Sequence, residues 1–142
     1  MWAANLKDMT REIVAYTDGG SRGNPGPAAI GIILVAEGRT LLEHKERIGK
    51  ATNNQAEYHA LIKALELAAG RAPVLRCTLD SELVARQATG KYRVKDRVLQ
   101  GLFATLREKE KTFEKVSYSH APRSHPVLRR ADWLVNEALD EG

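Results

Sequence analysis

The sequence predicts an α/β fold in which a mixed sheet carries helices on both faces. Three observations lead there. Short apolar runs of strand length and longer segments of helical period follow one another as β-β-β-α-β-α-α-β-α, an order that argues a mixed sheet covered by helices. Two of the strand-like runs end in aspartates, Asp18 and Asp80, and in open α/β sheets ligands sit at the carboxyl ends of strands. The chain has 142 residues, 43% of them hydrophobic, enough to bury one core without covalent staples.

Each element has a local reason. Residues 1–11 show no clear period and are expected to form a flexible leader to a single domain spanning residues 12–142. Residues 13–17 are a short apolar run ending at Asp18, a buried-strand pattern. Residues 19–27 read Gly-Gly-Ser-Arg-Gly-Asn-Pro-Gly-Pro, which is loop chemistry. Residues 28–36 and 40–48 are the second and third strands of a meander, with Gly38 in the turn between them. Residues 53–69 form a strong helix, with Thr52 or Asn53 as its N-cap and Gly70 as its terminator. After Pro73, residues 74–79 are a fourth strand. Residues 81–88 are a short helix closed by Gly90, and residues 96–112 a longer one. Residues 113–120 are a fifth strand, residues 121–126 a loop, and residues 129–139 a final helix.

The composition excludes several classes. The lone cysteine, Cys77, cannot form an internal disulfide, and no cysteine cluster is available for zinc. No apolar run approaches the roughly 18–20 residues needed to span a bilayer. A soluble, cytoplasmic protein is the expectation. Charge is unevenly spread: from Arg86 to Arg130 there are 12 basic and four acidic residues, a net of +8, which leaves −4 for the rest of the chain. Such asymmetry suits a polyanion-binding face; solvated helices with paired charges are the alternative, and Arg107–Lys111 has that look.

Four carboxylates stand in unusual places. Asp18 and Asp80 follow strands, although Asp80 could instead cap the helix that begins beside it. Glu57 shares a helical stripe with Leu61, Ala64, Leu65 and Ala68, so it should point into the protein. A buried carboxylate needs a cation, a donor or a metal; a favourable place in the helix dipole is the plainer reading. Asp132 flanks the apolar face of the last helix and has the same two readings. Taken as one cluster, several close carboxylates require a counter-charge. Mg²⁺ supplies it through oxygen ligands, with Mn²⁺ as a substitute, and two such ions roughly 4 Å apart would serve phosphodiester cleavage.

The residues around these carboxylates resemble a known family. Tyr16-Thr17-Asp18-Gly19-Gly20-Ser21-Arg22-Gly23-Asn24-Pro25-Gly26-Pro27 resembles the first-strand motif of type 1 ribonuclease H. Thr52-Asn53-Asn54-Gln55-Ala56-Glu57 resembles its helix start, Asp80-Ser81 its third carboxylate motif, and Ala131-Asp132-Trp133-Leu134-Val135-Asn136-Glu137-Ala138 its last helix. All four occur in the family's order and spacing. The resemblance implies a ribonuclease H-like fold with a five-stranded sheet, three strands antiparallel and then two parallel. It implies an endoribonuclease that hydrolyses the RNA strand of RNA–DNA hybrids with two metal ions, leaving 5′-phosphate and 3′-hydroxyl ends. By position, Asp18, Glu57, Asp80 and Asp132 would be the metal ligands. Gly19 would let the backbone approach closely, Asn24 and Asn53 would contact the DNA strand, and Asn54 would help to read the RNA; helix capping is the alternative for Asn53 and Asn54. Lys50 and Thr52 match a phosphate-gripping pair, with Lys where the family often has Arg, so bidentate geometry is lost. The implied partner is an RNA–DNA hybrid, with double-stranded RNA left open as a second one, and the expected state is a monomer.

The chain also departs from the family pattern. The basic protrusion that often follows the third carboxylate helix is missing, which marks a compact subtype and implies weaker, strongly salt-dependent binding. The catalytic histidine of the loop before the last helix is expected at His120, with His125 as the other candidate. Leu128 stands where the family usually has asparagine, which makes Asp132 the least constrained of the four acids. A non-catalytic hybrid- or RNA-binding module on the same fold is the alternative function. Polynucleotidyl transferases share the sheet but usually need further DNA-binding domains.

Overall fold

The computed structural model describes residues 10–142, so Trp2 and most of the expected leader lie outside the described residues. The elements run β1 (Glu12–Ser21), β2 (Gly26–Ala36), β3 (Arg39–Ala51), α1 (Asn53–Ala68), β4 (Val74–Leu79), α2 (Glu82–Thr89), α3 (Arg97–Glu110), β5 (Lys115–His120) and α4 (Pro126–Asp140). The five strands form one sheet in the order β3-β2-β1-β4-β5. β1, β2 and β3 pair antiparallel, and β4 and β5 add on in parallel. Arg11, assigned to the leader from sequence, already belongs to the fold: its carbonyl accepts from Val74 N–H, and its guanidinium pairs with Glu114.

β2 is buried along nearly its whole length because each of its faces meets a helix. Ile30, Ile32 and Leu34 point with Ile13 and Ala15 of β1 toward α1, where Tyr58, Leu61 and Leu65 complete the main core. Ile33 and Ala29 point the other way, against Ala131, Leu134 and Val135 of α4. Two glycines set how close these helices come. A Cβ on Gly19 would overlap the carbonyl of Ala56 in α1, and one on Gly31 would overlap the carbonyl of Ala131 in α4. Backbone therefore meets backbone on both faces of the sheet near Asp18.

The first strand differs from the sequence reading. β1 does not end at Thr17 but continues through Asp18 to Ser21, because Gly19 and Gly20 keep pairing with β2 up to Ser21↔Ala28. What ends near Asp18 is the parallel ladder to β4, whose last pair is Tyr16↔Thr78. β1 and β4 part there, and a crevice opens between them.

Caps explain the helix starts. Thr52 caps α1, its side chain accepting from Gln55 N–H (3.1 Å) while the Gln55 side chain accepts from Thr52 N–H (2.9 Å), a reciprocal capping box. Ser81 caps α2 and Asp96 caps α3. The last helix begins three residues earlier than expected, at Pro126: proline suits the first helical turn, and His125 Nδ1 accepts from Val127 N–H. α4 is also tied to its surroundings by ion pairs, Arg130 to Glu43, Lys45 to Glu137 and Glu141, and Arg22 to Asp140.

Gly31→Ala should destabilise the fold by about 1–3 kcal/mol, because a packed helix would have to shift. Gly101→Ala in α3, where a new Cβ meets nothing within 4 Å, should stabilise it by about 0.5–1 kcal/mol. Urea unfolding of both variants beside the parent checks the pair.

Candidate active site

Four elements aim a carboxylate at the crevice. β1 presents Asp18 just past the end of the parallel ladder, and it is only 7% exposed. α1 presents Glu57 from its buried stripe, 4% exposed. Asp80 follows β4 directly; since Ser81 takes the capping role of α2, Asp80 is free to face the crevice. Oxygens of these three residues all lie within 4.8 Å of one another. Asp132 enters from α4 on the other side: it lies outside that trio but presses on Asp18 and lines the same pocket, a cavity of about 280 Å³.

Burial and the neighbouring negative charges hold Asp18 and Glu57 away from full ionisation. Burial pushes the Asp18 carboxyl up from 3.8 to about 8, with the negative charges of Asp80 and Asp132 adding to the effect and Arg123 opposing it. Burial also holds Glu57 well above the ordinary glutamate value, reinforced by Asp18 and Asp80 and countered by the Gly19 N–H, which donates to Glu57 Oε1 at 3.1 Å. The positive charge inside this group is Arg123, whose Nε donates to Asp80 Oδ2 at 2.8 Å. A cluster of hard oxygen donors without Cys or His, short of positive charge, fits a divalent cation such as Mg²⁺ or Mn²⁺ better than a soft metal.

Around the acids the structure arranges a second set of sequence candidates. With Thr52 acting as the cap, Asn53 is released from that role: its Oδ1 accepts from Ser21 N–H (3.1 Å), and its own N–H donates to Asn24 Oδ1 (2.9 Å). The loop after β1 and the first turn of α1 are thereby laced together, and Ser21 and Asn53 line the carboxylate pocket. Gly19 lines it too. Lys50 stands farther out, exposed on β3 beside Arg47 and Pro27 in a separate groove of about 300 Å³. Asn54 is half-buried on the first turn of α1.

The histidines lie elsewhere. His120 is exposed and faces a groove with Arg86, Lys91 and Tyr118. His125 caps α4 and stacks on Tyr16, with ring centroids 5.2 Å apart. Neither is among the residues lining the carboxylate pocket. Arg123 and Asn136 hold that rim instead, and sequence reasoning missed both as site residues. Arg123 registered only as one charge in a basic run; Asn136, four residues after Asp132, could have been found as the next turn of the same helix face. Of the 12 basic residues between Arg86 and Arg130, Lys91, Arg93, Lys95, Arg97, Lys115 and Arg129 have no ion-pair partner among the described residues. Four of these six are packed into the short segment 91–97.

Comparison with known proteins places this geometry. Residues 16–138 match the family model described as Reverse transcriptase-like. A protein named Ribonuclease HI from Halobacterium salinarum is 46% identical over 136 residues, covering 94% of this chain and 67% of that protein. A bifunctional protein of Mycobacterium tuberculosis is 41% identical over 135 residues, covering 91% of this chain and 36% of its own length. This chain thus spans about two thirds of the first relative and about a third of the second. Among solved structures, RNase H1 from the halophilic archaeon Halobacterium salinarum superposes with a TM-score of 0.87 at 46% identity, covering 92% of this chain and 99% of that one. LC11-RNase H1 in complex with an RNA/DNA hybrid superposes with a TM-score of 0.85 at 43% identity, covering 91% and 97%.

The raised carboxyl gives the metal-free protein an unusual pH dependence. Between 3.8 and about 8 the folded chain binds more protons at Asp18 than the unfolded chain, so this contribution to stability is full at low pH and is lost as pH rises through about 8. In chelator at pH 8, Asp18→Asn should therefore be more stable than the parent, by on the order of 2–5 kcal/mol. The gap should close toward pH 4, and Mg²⁺ or Mn²⁺ should reverse the order. Urea titrations at several pH values, with EDTA or metal, measure this.

Proposed function

We propose a ribonuclease H reaction for this site, since the chain belongs to the ribonuclease H family. The enzyme hydrolyses the RNA strand of RNA–DNA hybrids and leaves 5′-phosphate and 3′-hydroxyl ends. The observation that carries this reading is the convergence of Asp18, Glu57 and Asp80 within 4.8 Å, with Asp132 against Asp18. Asp18, Glu57 and Asp80 would hold one divalent cation, and Asp132 with Asp18 a second. When bound, the pair of ions, Mg²⁺ or its substitute Mn²⁺, supplies activation of water and charge neutralisation at the leaving oxygen.

The protein's own groups do the positioning. The Gly19 N–H fixes one Glu57 oxygen, so the glutamate keeps its aim without a long flexible reach. Asn53, braced against Ser21, and Asn24, braced against Asn53, set the floor on which the nucleic acid lies. Side-chain amides and backbone groups here suit the 2′-hydroxyl, which separates RNA from DNA by offering both a donor and an acceptor. Lys50 and Thr52 at the β3–α1 junction grip a backbone phosphate, the lysine as a point charge. Arg123 neutralises Asp80 until a cation arrives. The unpaired basic residues of segment 91–97 supply the longer-range attraction in place of a protrusion. A monomer in the cytoplasm acting on hybrids completes the reading, with double-stranded RNA left open as a second partner.

Labelled RNA–DNA hybrid should be cut in its RNA strand with Mg²⁺ or Mn²⁺ and left intact in EDTA. Asp18→Asn should lose roughly 10³-fold or more in kcat, and full activity in that variant would sink the mechanism. Hybrid binding without turnover in any metal would identify the non-catalytic module instead. Lys50→Ala should raise KM a few fold and flatten the slope of log affinity against log salt by about one.

A further inference from the structure

Beside the carboxylate pocket runs a wider trough of about 510 Å³, lined by Arg123, Ser124, Arg129, Asp132, Trp133 and Asn136. Arg123, Asp132 and Asn136 belong to both cavities, so the trough is the outward continuation of the site along α4. Its most conspicuous side chain is Trp133, 47% exposed on a helix whose next residues, Leu134 and Val135, are buried. The indole is not loose. The Arg130 guanidinium lies over it at 4.2 Å from the ring centroid, and Arg130 is itself held by two hydrogen bonds to Glu43, at 2.9 and 2.8 Å. A large aromatic ring is thus braced by a cation while about half its surface stays in water. In the same trough Arg129 is exposed and has no ion-pair partner among the described residues.

We propose that Trp133 and Arg129 form a subsite for an unpaired nucleotide of the RNA strand where that strand leaves the hybrid, the base stacking on the indole and the phosphate meeting the guanidinium. A braced indole beside a free cation is the arrangement that captures single-stranded nucleic acid, because every base has a π-face. A base inside a duplex has both faces covered by its neighbours, so only an unpaired one is available. The strand is the RNA because the trough shares Asp132 and Arg123 with the pocket that takes the scissile strand; this step rests on the proposed function. Such a subsite directs cutting toward junctions where RNA emerges from a hybrid.

The test compares a 12-base-pair RNA–DNA hybrid with blunt ends to the same hybrid carrying four unpaired RNA nucleotides at its 5′ or its 3′ end, and to one with an unpaired DNA extension. Binding in EDTA is read for every variant from the anisotropy of a dye on the DNA strand, and stacking in the parent from quenching of Trp133 emission in a Trp2→Phe background, since the chain has only these two tryptophans. kcat/KM is read in Mg²⁺. The RNA extension at one end should quench the emission and tighten binding roughly five- to hundredfold, the range that stacking of a base on an aromatic gives. Trp133→Ala should lose that gain, Trp133→Phe should keep most of it, and Arg129→Ala should lose part of it. The blunt hybrid should bind the parent and the Trp133 variants within about threefold of one another. The inference is overturned if the extension brings no gain, if the gain survives Trp133→Ala, or if the DNA extension gives as much. Failure of the parent to cut any hybrid would count against the proposed function alone, because the quenching and affinity measurements need no turnover.

Discussion

The site depends on two places where helix backbone rests directly on sheet backbone. Gly19 lets α1 settle onto β1, which brings Glu57 beside Asp18. Gly31, the cross-strand partner of Asp18, lets α4 settle onto β2, which brings Asp132 to the other side of the same aspartate. A side chain at either position would lift a helix away from the sheet. The distances between the carboxylates are therefore set by main-chain contacts, which are far stiffer than side-chain rotamers.

That stiffness serves an electrostatic purpose. Buried acids in contact would ordinarily swing apart or protonate, and Asp18 and Glu57 both show the pressure to protonate. Because the frame cannot relax, the repulsion is stored in the folded state and is relieved when positive charge arrives. Arg123 gives partial relief from a surface loop, where it can be displaced at small cost. The basic surplus follows the same division. Several of the cations are engaged in pairs, Arg107 with Glu110 within α3 and Lys109 with Glu66 between α3 and α1, while segment 91–97, from the loop after α2 to the first residue of α3, keeps four unpaired.

Much of this was legible in the residues. The order of elements and the direction of Glu57 followed from periodicity, because an apolar stripe is a direct record of which side faces the core. Aspartates at strand ends pointed to the crevice, and the motif order singled out the acids. Three things were not legible. Glycines after Asp18 read as a loop, yet they are strand: local propensity is overridden when a partner strand offers hydrogen bonds on the same register. Two residues stood as possible caps for α1, and only the geometry shows Thr52 in that role and Asn53 freed for bracing. The placement of Arg123 depends on the path of a short irregular loop, for which no period exists in the sequence; the loop turns the arginine to the acids, while His120, the last residue of β5 and in register with Leu79, faces the groove beside Arg86.

The unequal ladders of β1 bear on how the protein moves. From Val14 to Tyr16 the strand is paired with a neighbouring strand along both edges, but from Thr17 to Ser21 only with β2, and on the other side the N–H groups of Gly19 and Ser21 donate to the side chains of Glu57 and Asn53. Local opening beyond the Gly19 contact, at Gly20 and Ser21, need not break the parallel half of the sheet, so those two amides can exchange with solvent at a lower free energy than those of the central strands. The two motions are separable: the substrate-facing tip can breathe on its own, while the core that spaces the carboxylates opens only with the whole domain.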